Sequence, residues 1–152
     1  MATHAVYGGA WIAVVDSLTP ERRSEVMSRI RSTDTKPEMR VRRLAYALGF
    51  RYRLHRKDLP GKPDLVFIGR RKVIFVHGCF WHLHAGCPAG RIPKSRTEFW
   101  EEKLKRNQQR DETTMRELVA KGWRVLVLWE CQLKDEKALA GEIFRFLDTP
   151  SR

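Results

Sequence analysis

A chain of 152 residues holds one domain with a real core and is too short for two of ordinary size. Its hydrophobic content of 42% excludes disorder as the general state. A net charge of +12 excludes a neutral or acidic surface and favours a polyanionic partner, nucleic acid ahead of an anionic membrane.

Residues 1–18 read as a loosely held tail and 19–148 as the domain. The apolar run Ala10–Val15 is too short for a signal segment or a membrane span, so a soluble, cytoplasmic protein is expected. Ser17-Leu18-Thr19-Pro20-Glu21 opens a helix that should run to about Arg31. Thr35 caps a second helix, with Pro37 and Glu38 in its first turn and Gly49 as its stop. Between Glu21 and Asp58 stand 12 Lys/Arg against 5 Asp/Glu.

Arg51–His55 alternates as a half-exposed strand, and Leu59–Pro63 is a loop. Two β-branched runs, Asp64–Ile68 and Lys72–His77, flank Gly69-Arg70-Arg71 and predict a hairpin. Folding back there brings Asp64 beside Phe75–His77. A proline-bounded loop follows over 88–93. Ser95 to Glu98 offers a capping box for a long polar helix to about Lys121, stopped by Gly122. Trp123–Trp129 is an apolar strand expected to be covered on both faces, with both tryptophans in the core. A last helix runs from about Asp135 to Leu147. The order α-α-β-β-β-α-β-α predicts an α/β fold around a mixed central sheet.

Chemistry concentrates after the second run. Cys79-x4-His84-x2-Cys87, with Cys131 from a distant strand end, supplies four soft ligands, the set that a tetrahedral structural zinc takes. Three cysteines cannot all pair as disulfides, which favours metal over a disulfide framework. Asp64 begins an apolar strand, where a carboxylate is costly unless it is paired or holds a cation. Its hairpin neighbour His77 and the nearby His82 offer proton transfer. His82 is either an alternative zinc ligand or a base aimed away from the zinc. Glu38 reads most simply as compensating a helix dipole. Asn107 and Asp111 share a helix face. His4 and His55 carry no functional reading. Phe80, Trp81 and Trp100, among Lys and Arg, suit base stacking or wedging, against plain core packing.

These residues stand in segments with a known pattern: Met27–Ile30, Leu59–Asp64, Val73–His82, Ser95–Trp100, Gly122–Val125 and Trp129-Glu130-Cys131. From about Pro20 to Leu147 the chain resembles the very-short-patch repair (Vsr) mismatch endonucleases. The resemblance implies a restriction-endonuclease-like three-layer fold, a mixed central sheet flanked by helices, with a structural zinc knuckle. It also implies Mg²⁺-dependent nicking of one strand 5′ of the thymine in T:G mispairs, which arise when 5-methylcytosine deaminates; that nick initiates very short patch repair.

By the same resemblance Asp64 ligates Mg²⁺ together with the main-chain carbonyl of Val76, where family members commonly carry Thr. His82 activates water, Asp111 orients it, and His77 and Glu38 complete the site. Cys79, His84, Cys87 and Cys131 correspond to the zinc ligands, with one residue more between His84 and Cys87 than the family pattern has. Phe80, Trp81 and Trp100 are similar to an aromatic wedge that enters the duplex beside the mismatch. Met27 and Ile30 would press from the opposite groove, and Lys103 and Asn107 would read base edges. The implied partner is double-stranded DNA with a T:G mismatch, met by a monomer, with mismatch-repair proteins as candidate helpers. Rival expectations are a restriction-like or structure-specific nuclease of the same fold, and a zinc-stabilised DNA-binding module without catalysis.

Overall fold

The computed structural model describes residues 18–30 and 33–150. The expected tail, Leu18 apart, and the expected helix end at Arg31 lie outside the described residues. In chain order the main elements are α1 (Pro20–Ser28), α2 (Lys36–Ala47), β1 (Arg53–Leu54), β2 (Leu65–Phe67), β3 (Lys72–His77), α3 (Thr97–Ala120), β4 (Arg124–Trp129) and α4 (Glu136–Asp148). That is the expected order, and β3 has the expected ends.

Helix starts follow the capping chemistry in three cases. Thr19 and Thr35 sit in extended backbone, and their hydroxyls accept the N–H groups of Arg22 and Glu38. Asp135 accepts from the N–H of Ala138 at 3.0 Å. The start of α3 falls one residue later than the capping box expected at Ser95–Glu98 would set it. Arg96 holds the cap position in the left-handed region (φ 49°), and Thr97 Oγ1 donates back to the carbonyls of Pro93 and Lys94. The Thr97 hydroxyl thus serves the preceding loop.

The sheet order is β1-β2-β3-β4, antiparallel through β3, with β4 parallel to β3. β1 has two residues rather than the five expected, because His55, at φ 45°, turns the chain out of the ladder. β2 stops at Phe67, where a 3-10 turn over Ile68–Arg70 and a left-handed Arg71 reverse the chain into β3. Alternation along the strands separates two cores. Leu65, Phe67, Ile74 and Leu128 pack with Val41 and Ala45 of α2 and Leu139, Ile143 and Leu147 of α4. On the other face Val66, Val73 and Phe75 pack with Leu118 of α3 and with Trp123. The result is three layers. β4 is covered on both sides but not sealed: it forms an edge, and only Leu128 in it is fully buried.

Lys72 is completely buried, and its Nζ donates to the carbonyls of Leu147, at 3.1 Å, and Thr149, at the C-terminal end of α4. A cation there complements the helix dipole. No helix among the described residues is long and apolar enough to cross a membrane.

Candidate active site and metal centre

β3 and β4 run parallel, so their carboxyl ends meet at one rim of the sheet, and antiparallel β2 begins at that rim. Open α/β sheets place their chemistry there. Four side-chain groups gather around it.

The first is the knuckle. A ligand atom from each of Cys79, His84, Cys87 and Cys131 lies within 4.8 Å of the others. The turn is held by the N–H of His84 donating to Cys79 O (3.0 Å) and the N–H of Cys87 to His84 O (3.2 Å). Gly86, at φ 74°, absorbs the long His84–Cys87 spacing. Cys131 arrives on the 3-10 turn directly after β4. Burial, with the neighbouring sulfurs, pushes the Cys79 thiol well up. For Cys87 burial also acts upward, but the Ala89 N–H, hydrogen bonds with the Cys79 and Cys131 thiols and the Gly90 N–H together outweigh it, and the net shift is down. Three sulfurs and an imidazole nitrogen at this separation are the donor set of a tetrahedral zinc, and the residues fit one. Glu130 ties the knuckle to β4: its carboxylate accepts the Cys79 N–H, although burial raises its pKa overall.

The second group holds His82, which lies with His77 and Asp111 and not among the cysteines. The turn after β3, with the N–H of His82 donating to Gly78 O (3.2 Å), carries His82 away from the sulfurs. Its ring stacks on His77, 3.8 Å between centroids and 3° from parallel. His82 Nδ1 lies 2.5 Å from Asp111 Oδ2 on α3. Burial, and then the neighbouring His82, lower the His77 pKa to about 4, so that ring is neutral at physiological pH.

The third group surrounds Asp64. Its Oδ2 accepts the backbone N–H of Val76 at 2.7 Å, which sets the carboxylate beside the residue preceding His77. Burial raises its pKa to about 6; the Val76 N–H opposes this, and nearby Glu38 adds to it. Glu38 is itself buried on α2, paired with Arg42 one turn on. His55 Nε2 lies 2.8 Å from both Glu38 Oε1 and Arg42 Nη2, and Arg42 also reaches Asp34 at 2.7 Å. Sequence reasoning passed over His55 and Arg42. The Glu38–Arg42 spacing of four was the available signal, since it puts both on one helix face.

The fourth is aromatic. Trp100 is fully buried, with Leu104, beneath Phe80, Trp81 and Met27. Edge contacts join Trp100 to Phe80 at 5.4 Å and to Trp81 at 6.1 Å. Trp100 therefore forms the floor of the group, while Phe80 and Trp81 are part-exposed. Lys103 Nζ lies 5.6 Å from the Trp81 ring and 5.7 Å from those of Phe99 and Trp100. Asn107 uses its Nδ2 on the carbonyl of Trp81 at 3.1 Å, and its Oδ1 accepts from Arg110. Ile30 is exposed just past α1, whereas Met27 rests on the aromatic cluster. Between α1 and α3 lies a cleft of about 230 Å³ lined by Arg23, Met27, Arg96, Phe99, Trp100 and Lys103 among others.

Trp129 departs from the expectation of a core residue. Its ring stacks on His84 at 4.1 Å, 7° from parallel, and meets His77 edgewise at 5.3 Å. Trp123 does lie in the core, below the guanidinium of Arg71.

Comparison with known proteins agrees with this geometry. Residues 15–87 match the family described as "DNA mismatch endonuclease Vsr". The chain is 51% identical over 135 residues to "Type II nicking enzyme V.XorIIP" of Xanthomonas oryzae pv. oryzae, covering 89% of this chain and 98% of that protein. It is 46% identical to "Type II nicking enzyme V.NmeAIP" of Neisseria meningitidis serogroup A, over 85% of this chain and 91% of the relative. It is 43% identical to "DNA mismatch endonuclease Vsr" of Escherichia coli K12, over 79% and 76% of the two chains. Strand-nicking DNA endonucleases are the class into which these similarities place the molecule. The chain belongs to the Vsr DNA mismatch endonuclease family.

Proposed function

We propose that this nuclease nicks one DNA strand 5′ of the thymine in a T:G mispair left by deamination of 5-methylcytosine. The observation that carries the reading is the His77–His82–Asp111 constellation, held at the same sheet rim as the buried Asp64 carboxylate. Asp64 is suited to a hard cation: burial has raised its pKa, and a divalent ion beside it would restore the anion. Mg²⁺, held by Asp64 and the Val76 carbonyl, would polarise the scissile phosphate and stabilise the leaving oxygen. His82 takes a proton from water, and Asp111 keeps the His82 ring in the orientation that leaves Nε2 for that proton. Neutral His77 supports the His82 ring face to face. Glu38, fixed by Arg42 and His55, sets the charge facing Asp64.

Recognition follows from mechanics. A T:G wobble pair stacks less well than a matched pair, so prying apart its neighbourhood costs less, and the difference becomes specificity. Phe80 and Trp81 would enter the stack; their part-exposure over the buried Trp100 supports this. α1, with Met27, closes the cleft from the other side, and exposed Ile30 follows just past the helix end, on the side from which it would press on the duplex. Lys103 lies among those rings, while Asn107 is committed to holding Trp81. The three layers around a mixed sheet favour a restriction-endonuclease-like fold, and a single rim of this kind suits a monomer that cuts one strand. The relatives named as nicking enzymes favour single-strand cutting, and the one named as a mismatch endonuclease favours a mispaired substrate.

The test is nicking of a panel of T:G duplexes with varied flanks, beside matched duplex, with and without Mg²⁺ and mapped to the nucleotide. A nick 5′ of the mispaired T that needs Mg²⁺, lost in Asp64→Ala while mismatch binding survives, is the expected result. Equal cutting of matched duplex would instead favour a restriction-like or structure-specific nuclease.

A further inference from the structure

We propose that Trp129 is a positioning residue for strand nicking, keying the His77–His82 pair to the rigid Cys/His knuckle. The inference rests on His82 acting as the base described above.

An aromatic residue at the end of an apolar strand ordinarily joins a core. Trp129 joins none: it is in none of the three apolar clusters among the described residues. Its partners are two imidazoles. The parallel register sets Trp129 directly beside His77, so the two side chains share a face of the sheet. On its other side the Trp129 ring stacks on His84 at 4.1 Å. Five side chains then run without a break from the knuckle to α3: His84, Trp129, His77, His82 and Asp111, with neighbouring rings 4.1, 5.3 and 3.8 Å apart and a 2.5 Å hydrogen bond at the end.

The two ends of this line differ in rigidity. His84 is fixed by the knuckle backbone, with Gly90 packed against its main chain and Cys131 Sγ 3.4 Å from its Nδ1. His82 sits half-exposed on a turn, and its orientation depends on Asp111 and on the ring stacked against it. That ring, His77, has Phe75 at 5.7 Å on its own strand and Trp129 at 5.3 Å. Removing the indole frees the outer side of His77 and severs the line between zinc ligand and base. Nothing in this role touches DNA or binds metal, so turnover should suffer alone.

The experiment compares Trp129→Leu, Trp129→Phe and His82→Ala in the full chain. Three quantities are read: kcat and KM for nicking a T:G duplex, zinc per chain, and affinity for that duplex in the absence of Mg²⁺. Trp129→Leu is expected to lower kcat about 10- to 100-fold, the scale of a small misplacement at a reacting group. KM, zinc content and affinity should stay at parental values. Trp129→Phe, whose ring still bridges the imidazoles, should recover most of the rate. Parental kcat in Trp129→Leu beside an inactive His82→Ala overturns the inference and leaves the role of His82 standing. Loss of zinc or affinity in step with turnover overturns it too, since Trp129 would then merely hold the knuckle together. Full activity in His82→Ala removes the reading of His82 and this inference with it.

Discussion

Asp64 shows in one residue what a buried carboxylate at the proposed site costs the fold. Its ordinary pKa of 3.8 rises to about 6 on folding, chiefly through burial. Below 3.8 both folded and unfolded chains hold the proton and the site is neutral in its effect. Between 3.8 and about 6 the unfolded chain ionises first, and above about 6 the fold must carry a buried anion. Stability is therefore lost as pH rises through that window, by an amount on the order of 2–3 kcal/mol. Asp64→Asn, which can still accept the Val76 N–H, should be more stable than the parent by about that much at pH 7.5 without divalent ions. The gap should close near pH 3.5; urea denaturation at the two values checks this, and equal stability at pH 7.5 would refute it. Asp64 was legible as a candidate because a carboxylate opening an apolar strand calls for a reason, and it does lie at the sheet rim, bonded to the Val76 N–H. His55, Arg42 and Trp129 were not, because their roles arise from contacts between elements. A histidine in a basic segment and a tryptophan closing a strand look ordinary until the sheet register and the α2 packing exist.

At the scale of elements, the knuckle depends on a close backbone approach. A Cβ at Gly90 would lie 2.3 Å from His84 O and 2.8 Å from His84 N, both main-chain atoms with no flexible end to yield. Gly90→Ala should therefore displace the segment that carries His84, costing about 1–3 kcal/mol as an overpacking change. Because structural zinc contributes folding energy, the same variant should release zinc faster to a chelator. Release at the parental rate would show that the loop has slack. β3 could be read to its ends, since an apolar run on both faces admits little but a central strand. The α3 start could not, because Thr97 bonds backward into the loop, and a capping box is only one of the uses a hydroxyl finds there. β1 was overread for a similar reason: alternation continued past the point where the backbone of His55 leaves the sheet.

For the whole molecule, the +12 charge makes DNA affinity a salt-dependent quantity. If six or more phosphates are neutralised, affinity for a matched duplex should fall about 10³-fold or more between 50 and 200 mM salt. A fluorescence-anisotropy titration across that range measures it, and a flat response would mean that the surplus charge faces away from the duplex. Fold class and element order could be read at this scale, because periodicity and turn residues are local. The layering that brings α3 to one face and α2 with α4 to the other is a property of the assembled sheet.

Lys72 sets a practical boundary at the far end of the chain. Its sealed-in ammonium finds oxygen at Leu147 and Thr149, in the stretch where the last helix runs out. Shortening the protein to the final turn of that helix would strand a cation with half its partners gone. The smallest intact domain thus extends past its last regular element, and tags or fusions belong after Thr149.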